Sequence, residues 1–361
     1  MNGLNEILPW LEANVESMRQ SRRKTLAAIV SGAMRLQGTG VLALGRSMGG
    51  PTAPKHSIKR VDRFLGNARV EGMAVFEGLF KTCCPPTGEL VVLADWTDRH
   101  WCQQLVMALP RNGRALPFLC ITVAKSETAG EHAGAMIAAE ARALEVLAGF
   151  CGPRRTPIVI ADRGFGNSRW LAEVQKRGWG FVQRLARNHY LEVEEYIGTL
   201  AELGIRKGSP PKDWGVGTLG EKHWGPVRLI TARDKKAEEP WFLVTNLDYV
   251  SSREVCALYA KRFWIEEMFR DLKNRELGLG MDRVCLSTPE RFERHFLILA
   301  LAYVFLCAFG AVAEVARFAD QLKANTVKRR VLSLAKIGAY CVGILACTLE
   351  QAMDQLLKLP T

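Results

Sequence analysis

Three observations predict a mixed α/β fold with helices at both ends. Two short apolar strands, residues 90–94 and 157–161, each run straight into an aspartate. A turn-type Asn112-Gly113 separates two further apolar runs, 104–109 and 115–123, as in a tight hairpin. Helical periodicity fills the intervals between these strands, the first 85 residues and the chain beyond Ser251, so strands and helices alternate only in the middle.

The head is the basic part of the chain. Of a net charge of +12, most lies between residues 17 and 70, which hold Arg19, Arg22, Arg23, Lys24, Arg35, Arg46, Lys55, Lys59, Arg60, Arg63 and Arg69 against one acid, Asp62. Ser21 is expected to cap a helix through Leu26, Ile29, Val30, Ala33 and Met34. Ser57 is expected to cap a second, whose Ile58, Val61 and Leu65 face inward while Lys59, Arg60 and Arg63 face out. A cationic face with almost no acids to balance it suits the phosphates of DNA.

Beyond the head, residues 90–94 read as a buried strand ending at Asp95, followed by the hairpin. An alanine-rich helix (133–147) leads to the strand 157–161 ending at Asp162. Asn167 or Ser168 caps the next helix, to Lys176, and another strand covers 180–185. From 186 to 245, glycines, Pro210-Pro211 and Trp214, Trp224 and Trp241 punctuate short strands, a β-rich insertion. The chain is then helical to its end, with no internal repeat.

Composition excludes several classes. Charged residues are 24% and hydrophobic ones 48%, ordinary for a globular protein. Ten cysteines show no C-x-x-C pair and sit largely in apolar runs, so they read as reduced and buried, in a cytoplasmic protein without a secretory signal. His100, His132, His189, His223 and His295 are too scattered for a zinc site. Residues 296–313 carry no charge; by length and composition that run fits a membrane span or a helix buried all round.

The chemistry rests on three acids. A carboxylate at the end of a buried strand points out of the sheet edge, where α/β folds place ligands, and Asp95 and Asp162 both stand there. Residues 259–273 read YAKRFWIEEMFRDLK. Wound as one helix, Tyr259, Arg262, Glu266, Arg270 and Lys273 fall within an arc of roughly 80°. Trp264, Ile265, Met268, Phe269 and Leu272 fill a separate apolar arc, and Glu267 and Asp271 lie off both, toward solvent.

Tyr259, Arg262, Glu266 and Lys273 match Y-x2-R-x3-E-x6-K, the YREK signature of a large group of bacterial insertion-sequence DDE transposases. The DWT at Asp95 and DRGF at Asp162 resemble the first and second motifs of that group. The resemblance covers most of the chain and implies a ribonuclease H-like core. The organisation expected is a helical DNA-binding domain (1–85), the first part of the core (86–185), the β-rich insertion (186–245), the second part of the core with the Glu helix (246–315) and a C-terminal helical tail (316–361). The apolar 296–313 run then takes the place of a core helix, not a membrane span.

The resemblance also implies roles. Asp95, Asp162 and Glu266 would bind two Mg²⁺ ions (Mn²⁺ able to substitute), roughly 3.5–4 Å apart, for in-line attack on phosphodiesters. Tyr259, Arg262 and Lys273 would contact phosphates of the element's end, with Arg270 beside them, and Arg22, Arg23, Lys24, Lys59, Arg60 and Arg63 would bind DNA from the head. The partners are the terminal inverted repeats and target DNA, held by two copies of the chain in a synaptic complex. One insertion tryptophan, Trp214 or Trp224, would stack on a flipped base. Competing readings are a ribonuclease H-fold nuclease without strand transfer, a domesticated DNA-binding protein with an idle triad, and a single-span membrane protein. Terminal inverted repeats around the coding region would separate the first from transposition.

Overall fold

The computed structural model describes residues 3–35, 38–125, 129–165, 168–274, 279–324 and 326–361. The basic head forms five helices: α1 (Ile7–Asn14), α2 (Gln20–Met34), α3 (Val41–Ser47), α4 (Pro54–Gly66) and α5 (Gly72–Cys83). The expected serine caps are not used. Arg19 precedes α2, and Ser21 lies inside its first turn, where its carbonyl accepts from Thr25 Oγ1. In α4 the start is set by Pro54, whose missing N–H costs nothing in a first turn, and Ser57 is buried one turn in.

Strands β1 (Gly88–Arg99), β2 (Cys102–Arg111) and β3 (Arg114–Ala124) follow. The β2–β3 turn is the expected Asn112-Gly113, with φ of 45° and 80°. Both residues tolerate the positive φ that a type I′ turn needs. After α6 (Ala129–Cys151), β4 (Arg155–Ala161) runs parallel to β1, and after α7 (Ser168–Lys176), β5 (Gly180–Arg184) runs parallel to β4. Ser168 opens α7, while Asn167 lies outside the described residues.

The β-rich segment comprises β6 (Tyr190–Val193), β7 (Tyr196–Thr199), β8 (Lys212–Leu219), β9 (Trp224–Ala232) and β10 (Trp241–Thr245). It does not form a sheet of its own. β10 pairs antiparallel with β5, so the insertion caps an edge that would otherwise present unpaired backbone groups. One ten-stranded sheet results, in the order β3-β2-β1-β4-β5-β10-β9-β8-β6-β7. Helices α8 (Ser252–Ala260), α9 (Phe263–Lys273), α10 (Pro289–Val315), α11 (Leu334–Cys341) and α12 (Leu349–Leu357) complete the chain.

Two units share these elements. One comprises Met1–Cys84, Thr97–Ala135 and Glu266–Thr361; the other comprises Pro85–Trp96 and Met136–Ile265. The first unit is built around α10, which packs on α2, α4, α5, β3, α11 and α12. Thr288 caps α10 by accepting from the Arg291 N–H. Of its most apolar stretch, 94% is buried inside the protein, so the uncharged run is a core helix and not a membrane span. Its crossing with α11 is close because both surfaces are bare: a Cβ on Gly338 would collide with the Leu306 carbonyl, and one on Gly310 with that of Leu334. Eight of the ten cysteines are buried, and all ten are free thiols.

His295 is sealed in this core, with Nε2 donating to the Thr39 carbonyl at 2.9 Å. Burial, with Arg99 adding to it, pushes its pKa down to about 3. The unfolded chain, with an ordinary imidazole near 6.5, therefore binds more protons than the folded one between about pH 3 and 6.5. In that window stability rises with pH, by up to about 1.4 kcal/mol per unit. His295→Gln keeps a donor for Thr39 and removes the titration. Denaturant unfolding at pH 7 and pH 5 is expected to show the parent losing more stability on acidification than His295→Gln; equal losses would exclude His295 as the acid-sensitive group.

Candidate active site

The second unit brings two acids to one level. The paired stretch of β1 and β4 ends with Ala94 opposite Ala161, so the next residue on each strand is an aspartate. β1 itself continues to Arg99; Asp95 therefore marks the end of the parallel pairing, not the strand's carboxyl end. Each aspartate fixes one oxygen locally: Asp95 Oδ1 accepts from the Trp96 N–H at 2.9 Å, and Asp162 Oδ1 from the Gly164 N–H at 2.8 Å. Gln183 adds a bond to the Asp162 carbonyl. Trp96 stacks on Phe165 (centroids 6.5 Å apart) and its indole N–H reaches Glu140 Oε1. Burial raises the Glu140 carboxyl above its usual range, against the indole's pull.

The second oxygen of each aspartate faces one arginine. Arg262 Nη1 lies 3.6 Å from Asp95 Oδ2 and 3.9 Å from Asp162 Oδ2, with its side chain 8% exposed. The segment 259–273 is not the single helix expected. α8 ends at Ala260 and α9 begins at Phe263. Between them Lys261 and Arg262 bond back to Leu258 and Tyr259, three residues away. No glycine or proline forces this break; it accompanies the burial of a charged side chain beside two acids. The Tyr-Arg-Glu-Arg-Lys arc therefore does not hold as one face. Tyr259 is fully buried, edge-on to Trp241 at 4.9 Å, and burial raises its phenol. It offers no surface to a phosphate here and instead backs Arg262, whose guanidinium lies 6.0 Å from the Tyr259 ring and 5.0 Å from that of Phe263.

In the first unit, Glu266 is exposed in the first turn of α9, where the helix dipole favours a carboxylate. Glu267 and Asp271 are not solvated as expected. Arg114, just after the Asn-Gly turn, donates to Asp271 Oδ2 at 2.8 Å and lies 3.6 Å from Glu267. Tyr303 of α10 donates to the same Asp271 oxygen at 3.1 Å. Arg270 pairs with Glu267 at 2.5 Å, though its side chain is 69% exposed. Lys273 lies over Phe269.

The basic head also belongs to the first unit. Lys24, Lys59, Arg60 and Arg63 are exposed. Arg60 and Arg63, with Thr25, His56 and Asn67, line a hollow of about 420 Å³ in that face. Arg22 differs from the expectation: it pairs with Glu71 at 2.5 Å and is mostly buried, so its charge is neutralised within the fold. Arg23 donates to the Glu12 carbonyl.

The second unit holds a larger cavity, about 680 Å³, that sequence reading missed. Trp241, Phe263, Arg233, Lys235, Lys236 and Pro210 line part of it. Trp241 and Phe263 stack there at 6.2 Å. Trp214 is engaged otherwise: its indole donates to Thr231 Oγ1, and Lys212 sits 3.6 Å above its ring. Trp224 packs beside Phe181. Arg184 and Arg163 share Glu239.

Among the described residues no three His, Cys, Asp or Glu side chains gather into a metal-binding group. The Asp95–Asp162 pair nonetheless fits a hard cation, which takes carboxylate oxygens, often only one or two, with phosphate and water completing its shell. A model of the transposase DDE domain matches residues 86–305, a span that holds both aspartates, the insertion and Glu266. No curated protein matches the chain.

Glu267 thus has one half-buried cationic partner and one exposed one. Arg114→Met strands Asp271 and Glu267 without their buried cation and is expected to destabilise the protein by about 1–3 kcal/mol. Arg270→Met removes only a solvated charge and is expected to change stability by less than about 0.5 kcal/mol. Urea unfolding of the two variants checks this ordering, and a reversed order would refute it.

Proposed function

The chain belongs to the DDE transposase family, and we propose that it cuts the ends of an insertion sequence and joins them to target DNA. DDE transposases generally use divalent metals. The observation that carries the reading is the parallel β1–β4 register, which sets Asp95 and Asp162 side by side with their second oxygens facing one cationic group. The strand order β3-β2-β1-β4-β5, with β1, β4 and β5 parallel, supports a ribonuclease H-like core extended by the insertion. The YREK spacing supports membership of the insertion-sequence group.

Under this reading Asp95, Asp162 and Glu266 are the carboxylates that hold the metal ions, Mg²⁺ or in its place Mn²⁺. When bound, such ions activate water or a 3′-hydroxyl and stabilise the leaving oxygen of an in-line displacement. The local N–H bonds to Asp95 and Asp162 engage Oδ1 of each, and Oδ2 of each faces Arg262. Arg262, Lys273 and Arg270 supply cations for backbone phosphates, and Tyr259 supports Arg262 from behind. Lys24, Lys59, Arg60 and Arg63 provide the head's DNA contact, with Arg23 at its margin and Arg22 tied to Glu71. Of the insertion tryptophans, Trp241 lines the cavity described above, and a base stacked there would lie among Arg233, Lys235 and Lys236. Two copies of the chain hold the paired ends and the target duplex in a synaptic complex, in the bacterial cytoplasm. A nuclease of the same fold would cut ends and fail to join them.

Two outcomes test the reading. Asp95→Asn, Asp162→Asn and Glu266→Gln are each expected to abolish Mg²⁺-dependent cleavage of DNA carrying the flanking inverted repeats while end binding persists. Cleavage retained by any one of them removes that residue from the site.

The head is tested by salt. Fluorescence anisotropy of labelled ends across a salt series should show affinity falling steeply for the parent. Lys59→Ala, Arg60→Ala and Arg63→Ala together should flatten the slope by about one unit per side chain. An unchanged slope would leave those three side chains without a phosphate contact.

A further inference from the structure

Two arginines at the sheet edge that carries Asp95 and Asp162 converge on one exposed carboxylate. Ala161 of β4 pairs with Gln183 of β5, so the next residues, Asp162 and Arg184, come side by side. Arg184 pairs in turn with Leu243 of β10, which leaves Trp241 at the same edge one strand further on. Arg163, directly after Asp162, completes the group. Its Nη1 lies 3.1 Å from Glu239 Oε2, and Arg184 Nη2 lies 2.8 Å from the same oxygen. Glu239 comes from the segment 233–240 that joins β9 to β10 and lines the 680 Å³ cavity together with Arg233, Lys235 and Trp241.

Arginines that brace this fold are held differently. Arg228 gives Asp213 Oδ2 two bonds, gives Nη1 to the Leu247 and Val250 carbonyls, and is mostly buried. By contrast Glu239 is 45% exposed and Arg163 56%, and exposed ion pairs add little to stability. One carboxylate between two guanidiniums also leaves a positive charge unmet, and both bonds fall on one oxygen. A phosphodiester carries the same single charge but offers two unesterified oxygens, one for each arginine, in the geometry that guanidiniums bind best.

We propose that Arg163 and Arg184 form a seat for a phosphate of the bound DNA strand, which Glu239 occupies in the free protein and leaves when the phosphate arrives. A strand already held elsewhere on the protein presents its phosphate at high effective concentration and displaces the tethered carboxylate. A small anion from solution has no such advantage, so the seat is kept for DNA. The inference rests on the reading of the chain as a transposase that binds DNA ends.

The sign of one measurement separates this role from a structural one. A labelled duplex carrying the inverted-repeat end is titrated with the full chain in EDTA, so that no cleavage intervenes, and read by fluorescence anisotropy. Glu239→Gln is expected to bind about threefold to tenfold more tightly than the parent, since two exposed ion pairs no longer have to be broken. Glu238→Gln removes a neighbouring exposed charge that pairs with neither arginine and should stay near the parent. Arg163→Gln together with Arg184→Gln should weaken binding and lower the salt slope by about one unit, the count for one phosphate. Glu239→Gln added to that pair should then gain nothing. Binding by Glu239→Gln no tighter than the parent's, equal tightening in Glu238→Gln, or tightening that persists without the two arginines overturns the seat and leaves end binding standing. A parent that does not bind the ends at any salt concentration overturns the reading beneath it. If the double arginine variant does not fold, the comparison of Glu239→Gln with Glu238→Gln decides.

Discussion

Two like charges cannot stand side by side at the edge of a sheet without compensation, and much of the second unit follows from meeting that constraint. Neighbouring strands are about 4.8 Å apart. At that spacing, and with an effective dielectric constant of about 20, two carboxylates repel by roughly 3 kcal/mol. The parallel register ends with Ala94 opposite Ala161, which brings Asp95 and Asp162 next to each other. Each acid is steadied by one backbone N–H, and the remaining charge is met by Arg262. That arginine stands where the helix breaks at 261–262, beside the buried Tyr259, which Trp241 meets edge-on. A buried cation of this kind stabilises only as long as its partners remain charged, since removing either side leaves the other unpaired in a poor solvent.

The first unit solves a different problem, the placing of α9, which carries the exposed Glu266. α9 is clamped from its opposite side, where Arg114 and Tyr303 converge on Asp271 and Glu267. Arg114 comes from a hairpin whose two-residue turn leaves no slack, and Tyr303 from the core helix α10. The orientation of α9 is thus set from the β2–β3 hairpin and from α10. α10 in turn is held by close backbone contact with α11 through Gly310 and Gly338.

Charge is distributed by purpose. Lys24, Lys59, Arg60 and Arg63 are among the cations of the head that remain exposed, and Arg60 and Arg63 line one hollow, whereas Arg22, Arg114, Arg228 and Arg262 are paired with acids within the fold. The net charge of +12 therefore overstates the charge on offer to a polyanion, and the location of the unspent cations matters more than their number.

Features that depend on neighbours in sequence were legible from the sequence. The Asn112-Gly113 hairpin follows from backbone chemistry at two residues, and the strands before Asp95 and Asp162 follow from short apolar runs. The spacing of Tyr259, Arg262, Glu266 and Lys273 can likewise be read from the string alone, and the roles proposed for these residues rest on it. What the sequence could not decide were properties set by partners hundreds of positions away or by the competition between partners. An uncharged run such as 296–313 is the same string in a membrane and in a core; only the helices and strand packed around α10 make it the latter. Glu267 and Asp271 look solvated until Arg114 is brought to them, and Arg22 looks free until it meets Glu71. Helical periodicity continues unbroken through residues 259–273, yet the helix stops at Ala260 and a second begins at Phe263, with Arg262 between them beside two aspartates distant in sequence. Local chemistry set the strands, the hairpin and the residue spacing; the tertiary structure decided which charges are paired within the fold.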